Sequence, residues 1–313
     1  MRIPAPDLDV APRVADALAG STPVVALETT VISHGLPEPR NLETAHAMIA
    51  AVEDEGAVAA PIGVLDGRIR VGLDDEALVR FAGDRSVAKA SARDLPALVA
   101  LGRSGATTVA ATVACADAAG IAVFATGGLG GVHRGAAETF DISADLVEIA
   151  RTPIAIVCSG PKVILDVAKT VEALETAGVP IIGLGVDDVP GFYVRATGHA
   201  VAARVDSPED AAAIAVASRR LGRGGVVFAN PVPESRALAI DEVEGWIARG
   251  LARAAENGVR GKAITPLLLE RLGEESGGRT LDANAALLVD NARQAAKIAV
   301  AMGAAGKGRT GRT

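Results

Sequence analysis

Aromatic residues are scarce in this 313-residue chain, with five Phe, one Tyr and one Trp. That excludes the stacked ring platforms that bind single-stranded nucleic acid. Positive charge is in deficit, with 31 Lys and Arg against 38 Asp and Glu for a net charge of −7. A nucleic-acid partner, which asks for a basic face, is therefore not expected. The only cysteines are Cys115 and Cys158, too few for a disulfide framework, so a reducing cytoplasm is expected. Long apolar runs are missing. The longest nearly uncharged stretch, residues 104–132, contains Asp117 and is built from Gly, Thr and Ala, which does not suit a membrane span. Met1-Arg2 is followed at once by Pro4, Asp7 and Asp9, so no export signal is expected. Half of the residues are nevertheless hydrophobic and 35 are Gly, which suits a buried core with many tight turns.

Short apolar runs alternate with helical patterns. Strands are expected at 24–27, 60–65, 68–71, 87–91, 121–125, 154–158, 179–184 and 225–229, with Asp66-Gly67 as a hairpin turn. Helices are expected at 41–55, capped by Asn41, at 74–82, at 94–101, capped by Asp94, at 108–119, from Lys162 to about 176, and at 208–221. The chain beyond Glu234 reads as mostly helical. This alternation predicts a three-layer α/β/α fold with a largely parallel central sheet and a helical C-terminal extension. No repeat or long linker is visible, so residues 1–302 are expected to form one catalytic domain. Residues 303–313 are expected to be a disordered tail.

Ligands of open α/β sheets sit beyond the C-terminal strand ends. Charged residues fall there in five segments: Glu28, Lys89, His133-Arg134, Asp141 and Lys162. The run Gly127-Gly128-Leu129-Gly130-Gly131 is neither a dinucleotide fingerprint nor a P-loop. It offers backbone N–H groups, and Arg134 offers a fork for a phosphate; the alternative is a tight turn. Asp141, Ser143 and Asp145 fall within five residues, as a helix cap or as ligands of a hard cation. Lys162, placed at a strand-to-helix junction, would have its ammonium disfavoured by the helix dipole, leaving a nucleophilic amine; a second lysine, Lys89, would act in the same direction. A plain surface lysine is the alternative. Ser33-His34 lacks a nucleophile elbow, Cys158 reads as a core thiol, and His34, His46, His133 and His199 have no zinc spacing.

Several strings together are unusual: Leu27-Glu28-Thr29-Thr30-Val31-Ile32-Ser33-His34-Gly35-Leu36-Pro37, Ala106-Thr107-Thr108-Val109-Ala110-Ala111-Thr112, and Phe124-Ala125-Thr126-Gly127-Gly128 with His133-Arg134-Gly135. With Phe140 to Leu146, Cys158 to Lys162, Asn230 to Glu234, and Gly261-Lys262 with Thr265-Pro266, the chain closely resembles the pseudouridine-5′-phosphate glycosidase, or indigoidine synthase A-like, family over about residues 10–300. The resemblance implies Glu28 as proton donor, Lys162 as nucleophile and Asp141 as the ligand of one Mn²⁺ per subunit. It implies substrate contacts at Lys89, Val109, Ser143, Ala144 and Asp145, with His133 and Asn284 in the same pocket. It also implies a homotrimer.

The expected reaction is reversible cleavage of pseudouridine 5′-phosphate to uracil and ribose 5-phosphate. The bond joins two carbons, and a carbon leaving group has no lone pair to protonate, so two carboxylates would serve poorly. A lysine amine that bonds C1′ and becomes an iminium as uracil departs meets the difficulty. The alternatives are a Schiff-base lyase or aldolase acting on another sugar phosphate, and a non-catalytic accessory protein of an indigoidine-type pigment pathway.

Overall fold

The computed structural model describes residues 7–259 and 264–307. Its strands are β1 (Leu8–Val10), β2 (Val24–Glu28), β3 (Val58–Leu65), β4 (Arg68–Val71), β5 (Ala88–Ala90), β6 (Gly105–Thr107), β7 (Val123–Ala125), β8 (Ala155–Cys158), β9 (Ile181–Leu184), β10 (Ala203–Val205) and β11 (Val226–Ala229). The helices of the N-terminal half are α1 (Pro12–Ala19), α2 (Arg40–Glu53), α3 (Asp75–Gly83), α4 (Leu95–Ala100), α5 (Val109–Ala119), α6 (Ala136–Thr139) and α7 (Ala144–Arg151). Those that follow are α8 (Val167–Thr176), α9 (Pro208–Arg220), α10 (Ile240–Glu256), α11 (Ile264–Glu275) and α12 (Arg279–Lys307).

The strands form one sheet in the order β1-β4-β3-β2-β7-β8-β11-β9-β10, with β6 beside β3 and β5 beside β6. Every described pair is parallel except β3–β4 and β3–β6. The central strands are apolar throughout because both faces are covered. In β2, Val25 and Leu27 enter one core and Val24 and Ala26 the other; Phe124 in β7 and Ile156 in β8 alternate in the same way. The first core lies under α2, α9 and α12, and the second under α1, α5 and α7. These are the three layers expected. Cys158 does lie in the core, where burial pushes its thiol up to about 12.

Several boundaries differ from expectation for identifiable reasons. Asn41 does not cap α2: its Nδ2 donates to Ile32 and Ala82 carbonyls, tying the helix to the segment before it. Asp94 does not cap α4 with its side chain; its carboxylate reaches back to the Ser91 amide in a capping box. The helix expected from Lys162 starts only at Val167, with Asp166 as its cap. Helix α12 continues through Lys307, five residues into the expected tail, and residues 308–313 lie outside the described residues. Gly261 and Lys262 also lie outside them.

Candidate active site

The site is assembled where β2 gives way to β6. Strand β3 outruns β2, and from Gly63 its pairing passes to β6. The hydroxyls of Thr29 and Thr30 hold this junction. Thr29 Oγ1 donates to the Ile62 carbonyl (2.8 Å) and accepts from the Thr107 amide (3.0 Å), while Thr30 Oγ1 donates to the Ala106 carbonyl (3.0 Å). β6 in turn pairs with β5, whose central residue is Lys89. The Glu28-Thr29-Thr30 string thus sets a carboxyl at the end of β2 and, through two strands, a lysine beside it.

Lys162 comes from a loop held on two sides. Its amide donates to the Leu129 carbonyl (3.1 Å), and the Leu129 amide donates to Gly160 (3.0 Å). Gly160 has φ +78°, and a Cβ there would lie 1.9 Å from the Pro190 carbonyl oxygen, so only glycine fits. On the far side stands Arg134. Its Nε and Nη2 donate to the Leu165 and Val163 carbonyls, and its fork grips both oxygens of Glu244 on α10 at 2.6 and 2.9 Å.

This corrects the expected phosphate site. Arg134 is spent on the lysine loop. The amides of Leu129, Gly130, Val132 and His133 are spent on Gly160, Asp145, Thr170 and Asp141. The glycines serve close packing: a Cβ on Gly130 would meet Ser143 Oγ at 2.3 Å, and one on Gly131 would meet Thr170 Oγ1 at 2.3 Å. The dipole argument for Lys162 also fails, because the lysine precedes the α8 cap by four residues.

Two cavities of ≈ 260 Å³ each meet at this point. Glu28, Thr30, Lys89 and Lys162 line both and form the waist between them. The polar cavity receives Val109, His133, Asp141, Ser143, Ala144 and Asp145, all expected from the sequence. It also receives Ser91, Arg93 and Thr108, which were missed; Thr108 Oγ1 is buried with no hydrogen-bond partner among the described residues. The N-termini of α5 and α7 open here, and backbone amides at helix starts favour anions. Ser143 does cap α7, accepting from the Asp145 amide, and lines the cavity as well. Asp145 uses one carboxylate oxygen on the Ala110 amide and the other on Gly130, so it positions α5 and the glycine loop. The other cavity is walled by Val31, His34, Gly127, Gly128, Phe192 and Asn284, whose Oδ1 is buried with no partner among the described residues. A signal for His34 and Thr30 existed, since both stand in the string that begins at Glu28.

Electrostatics at the waist are strong. Burial raises the Glu28 carboxyl pKa, against the pull of Lys162 and a hydrogen bond donated by Thr126 Oγ1. The Lys89 ammonium opens on the cleft but is crowded by protein. Its pKa is lowered first by desolvation and then by Lys162. The waist therefore favours a protonated carboxyl beside an amine that gives up its proton easily.

An ion at Asp141 would have few protein ligands. His133 Nδ1 lies 3.9 Å from Asp141 Oδ2, too far for a hydrogen bond, and the described residues hold no cluster of three or more His, Cys, Asp or Glu suited to a metal. One carboxylate with a nearby imidazole fits a hard divalent ion that keeps mostly water and substrate oxygens.

The family model described as "Indigoidine synthase A like protein" matches residues 13–301. The chain belongs to this family. It is 52% identical over 293 residues to a pseudouridine-5′-phosphate glycosidase of Deinococcus radiodurans, covering 93% of this chain and 94% of that protein. It is 50% identical over 301 residues to one of Methylobacterium nodulans, covering 96% and 89%. Among solved structures of the family's fold, the prealnumycin C-glycosynthase AlnA in complex with ribulose 5-phosphate matches with a TM-score of 0.91 and 40% identity, over 98% of this chain and all of that one. An indigoidine synthase A-like protein of Thermotoga maritima matches with a TM-score of 0.86 and 35% identity, over 95% and 96%.

Proposed function

We propose that this chain is a pseudouridine-5′-phosphate glycosidase that cleaves its substrate reversibly to uracil and ribose 5-phosphate through a lysine-linked intermediate. The observation that carries the reading is the waist: one carboxyl and two lysines between a polar and a less polar cavity. A nucleotide laid across it puts its phosphate among Thr108, Ser91, Arg93 and the starts of α5 and α7. Its base lies toward Phe192, His34 and the unpartnered Asn284 Oδ1, and its C1′–C5 bond lies at Lys162. The names of the relatives above and the sugar phosphate in the AlnA complex support the same assignment.

The chemistry follows from the groups present. Protonated Glu28 gives its proton to the ribose ring oxygen. The C1′–O bond breaks as the uracil ring supplies electrons and loses an N–H proton. The Lys162 amine bonds C1′. The proton that Lys162 sheds is delivered to C5. The nitrogen lone pair then expels uracil as the C1′–C5 bond breaks, leaving an iminium, and the uracil nitrogen takes back the proton it lost. One water releases ribose 5-phosphate and restores the amine. Lys89, with its lowered pKa, is suited to take the proton that Lys162 sheds. Asp141, with His133 nearby, would hold one Mn²⁺, which would orient the phosphate and water. Asp141→Asn is expected to raise the Mn²⁺ concentration needed for half-maximal binding, measured by titration, at least tenfold.

A homotrimer in the cytoplasm is part of the proposal. Phe140, 82% exposed, stands with Ile142 and Val147 beside the polar cavity, an apolar surface of the kind subunits cover.

The deciding experiment mixes the chain with pseudouridine 5′-phosphate and Mn²⁺, adds borohydride and maps peptides by mass spectrometry. A ribose-phosphate adduct on Lys162, lost in Lys162→Ala, is expected. Free uracil without an adduct would keep the substrate and overturn the lysine mechanism. Neither uracil nor adduct would favour a lyase acting on another sugar phosphate.

A further inference from the structure

A second cavity adjoins the base cavity. His34, Gly35 and Asn284 line the inner cavity and also an outer one of ≈ 520 Å³. The inner space, at ≈ 260 Å³, is smaller than the ~300 Å³ at which ordinary ligand pockets begin, whereas the outer lies well within that range. Leu36 and Pro37 form one outer wall, and Tyr193 and Leu281 bring further apolar surface. One aromatic pair borders both chambers: Phe192 lines the inner and Tyr193 the outer, edge to face at 4.7 Å and 72°. Gly35, between them, carries no side chain; a Cβ there would come within 3.2 Å of Val31 Cγ2. Glu274 stands at the outer wall, so an anionic occupant is disfavoured.

We infer that this chain also cleaves pseudouridine 5′-phosphates whose heterocycle carries an uncharged aryl or alkyl extension, the heterocycle lying in the inner cavity and the extension in the outer one. The inference rests on the function proposed above and widens its substrate class. An extension on N3 leaves untouched both C5 and the N1–H proton that ring opening sheds. The same C1′–C5 bond breaks, one water is consumed, and the products are the substituted uracil and ribose 5-phosphate.

The test uses the full chain with N3-benzyl pseudouridine 5′-phosphate beside the parent nucleotide. The benzyl compound is expected within 100-fold of the parent in kcat/KM. Leu281→Trp and Glu274→Trp, which narrow the outer chamber, are each expected to lower the benzyl-to-parent ratio at least tenfold. The ratio is independent of how much of each variant is folded. The benzyl compound falling more than 100-fold below the parent, or a ratio unmoved by both tryptophans, overturns the inference and leaves the parent reaction standing. No turnover of the parent overturns the proposed function, and this inference with it.

Discussion

Glu28 shows how one residue couples chemistry to stability. Burial raises its pKa, so the folded chain keeps a proton that the unfolded chain has released. The stability contributed by the protonated form is complete below the ordinary carboxylate range and is lost as pH rises through the raised value. Glu28→Gln is therefore expected to match the wild type in Tm near pH 4 and to exceed it at pH 8, at roughly 2–4 °C per kcal/mol for a large domain. The same variant is expected to lose about 10²–10⁴-fold in kcat, the range of a missing proton donor. A Tm difference that shrinks with pH would contradict the burial argument. Lys89 acts on the same carboxyl: its charge lowers the Glu28 pKa. Lys89→Met is expected to move the alkaline limb of kcat/KM to higher pH while lowering its height, which a pH–rate profile checks. At this scale the sequence was informative about identity. Glu28, Lys89, Lys162 and Asp141 all reach one cleft: Glu28 and Lys162 from the C-terminal ends of the parallel strands β2 and β8, Lys89 from β5, which runs antiparallel to them, and Asp141 from the loop between α6 and α7. It was misleading about Arg134, because a guanidinium that suits phosphate suits a carboxylate and two carbonyls equally well.

Arg134 matters at the scale of elements, as the link between α10 and the loop of Lys162. A lysine in its place cannot hold Glu244 and two carbonyls at once, because a compact ammonium lacks the planar fork. Arg134→Lys is expected to lower kcat roughly 10–100-fold with KM changed less than about threefold, the pattern of a misplaced reacting group. A rise in KM alone, with kcat intact, would return Arg134 to a binding role. The longer elements were legible because their patterns are long: β3 with its Asp66-Gly67 turn, α5 and α9 fall within a few residues of expectation. Strands β1, β6 and β10 were not. Three residues carry no periodicity, and what makes them strands is the partner, Ile69 to Val71 for β1 and Gly63 and Val64 for β6. The late start of α8 has a similar cause, since the intervening loop is committed to Leu129, Val132 and Arg134 before the helix begins.

For the whole molecule, the two cores cover both faces of the sheet and the candidate site lies at the C-terminal end of β2, and the proposed trimer would bury the exposed Phe140, Ile142 and Val147. Light scattering on the purified chain is expected to return three times 31.5 kDa. A monomer or dimer at micromolar concentration would overturn the trimer. The sequence by itself determined the layered fold, because alternation of strand and helix and the apolar strand runs follow from local periodicity. It also marked most of the residues of the cleft, because reactive side chains are written in the chain whatever their surroundings. Only the tertiary structure decided which donors were already spent, that Thr108 and Asn284 were left unpaired among the described residues, and that an outer cavity adjoins the base cavity. Hydrogen-bond partnership and empty space arise between segments far apart in the chain, and no local pattern records them.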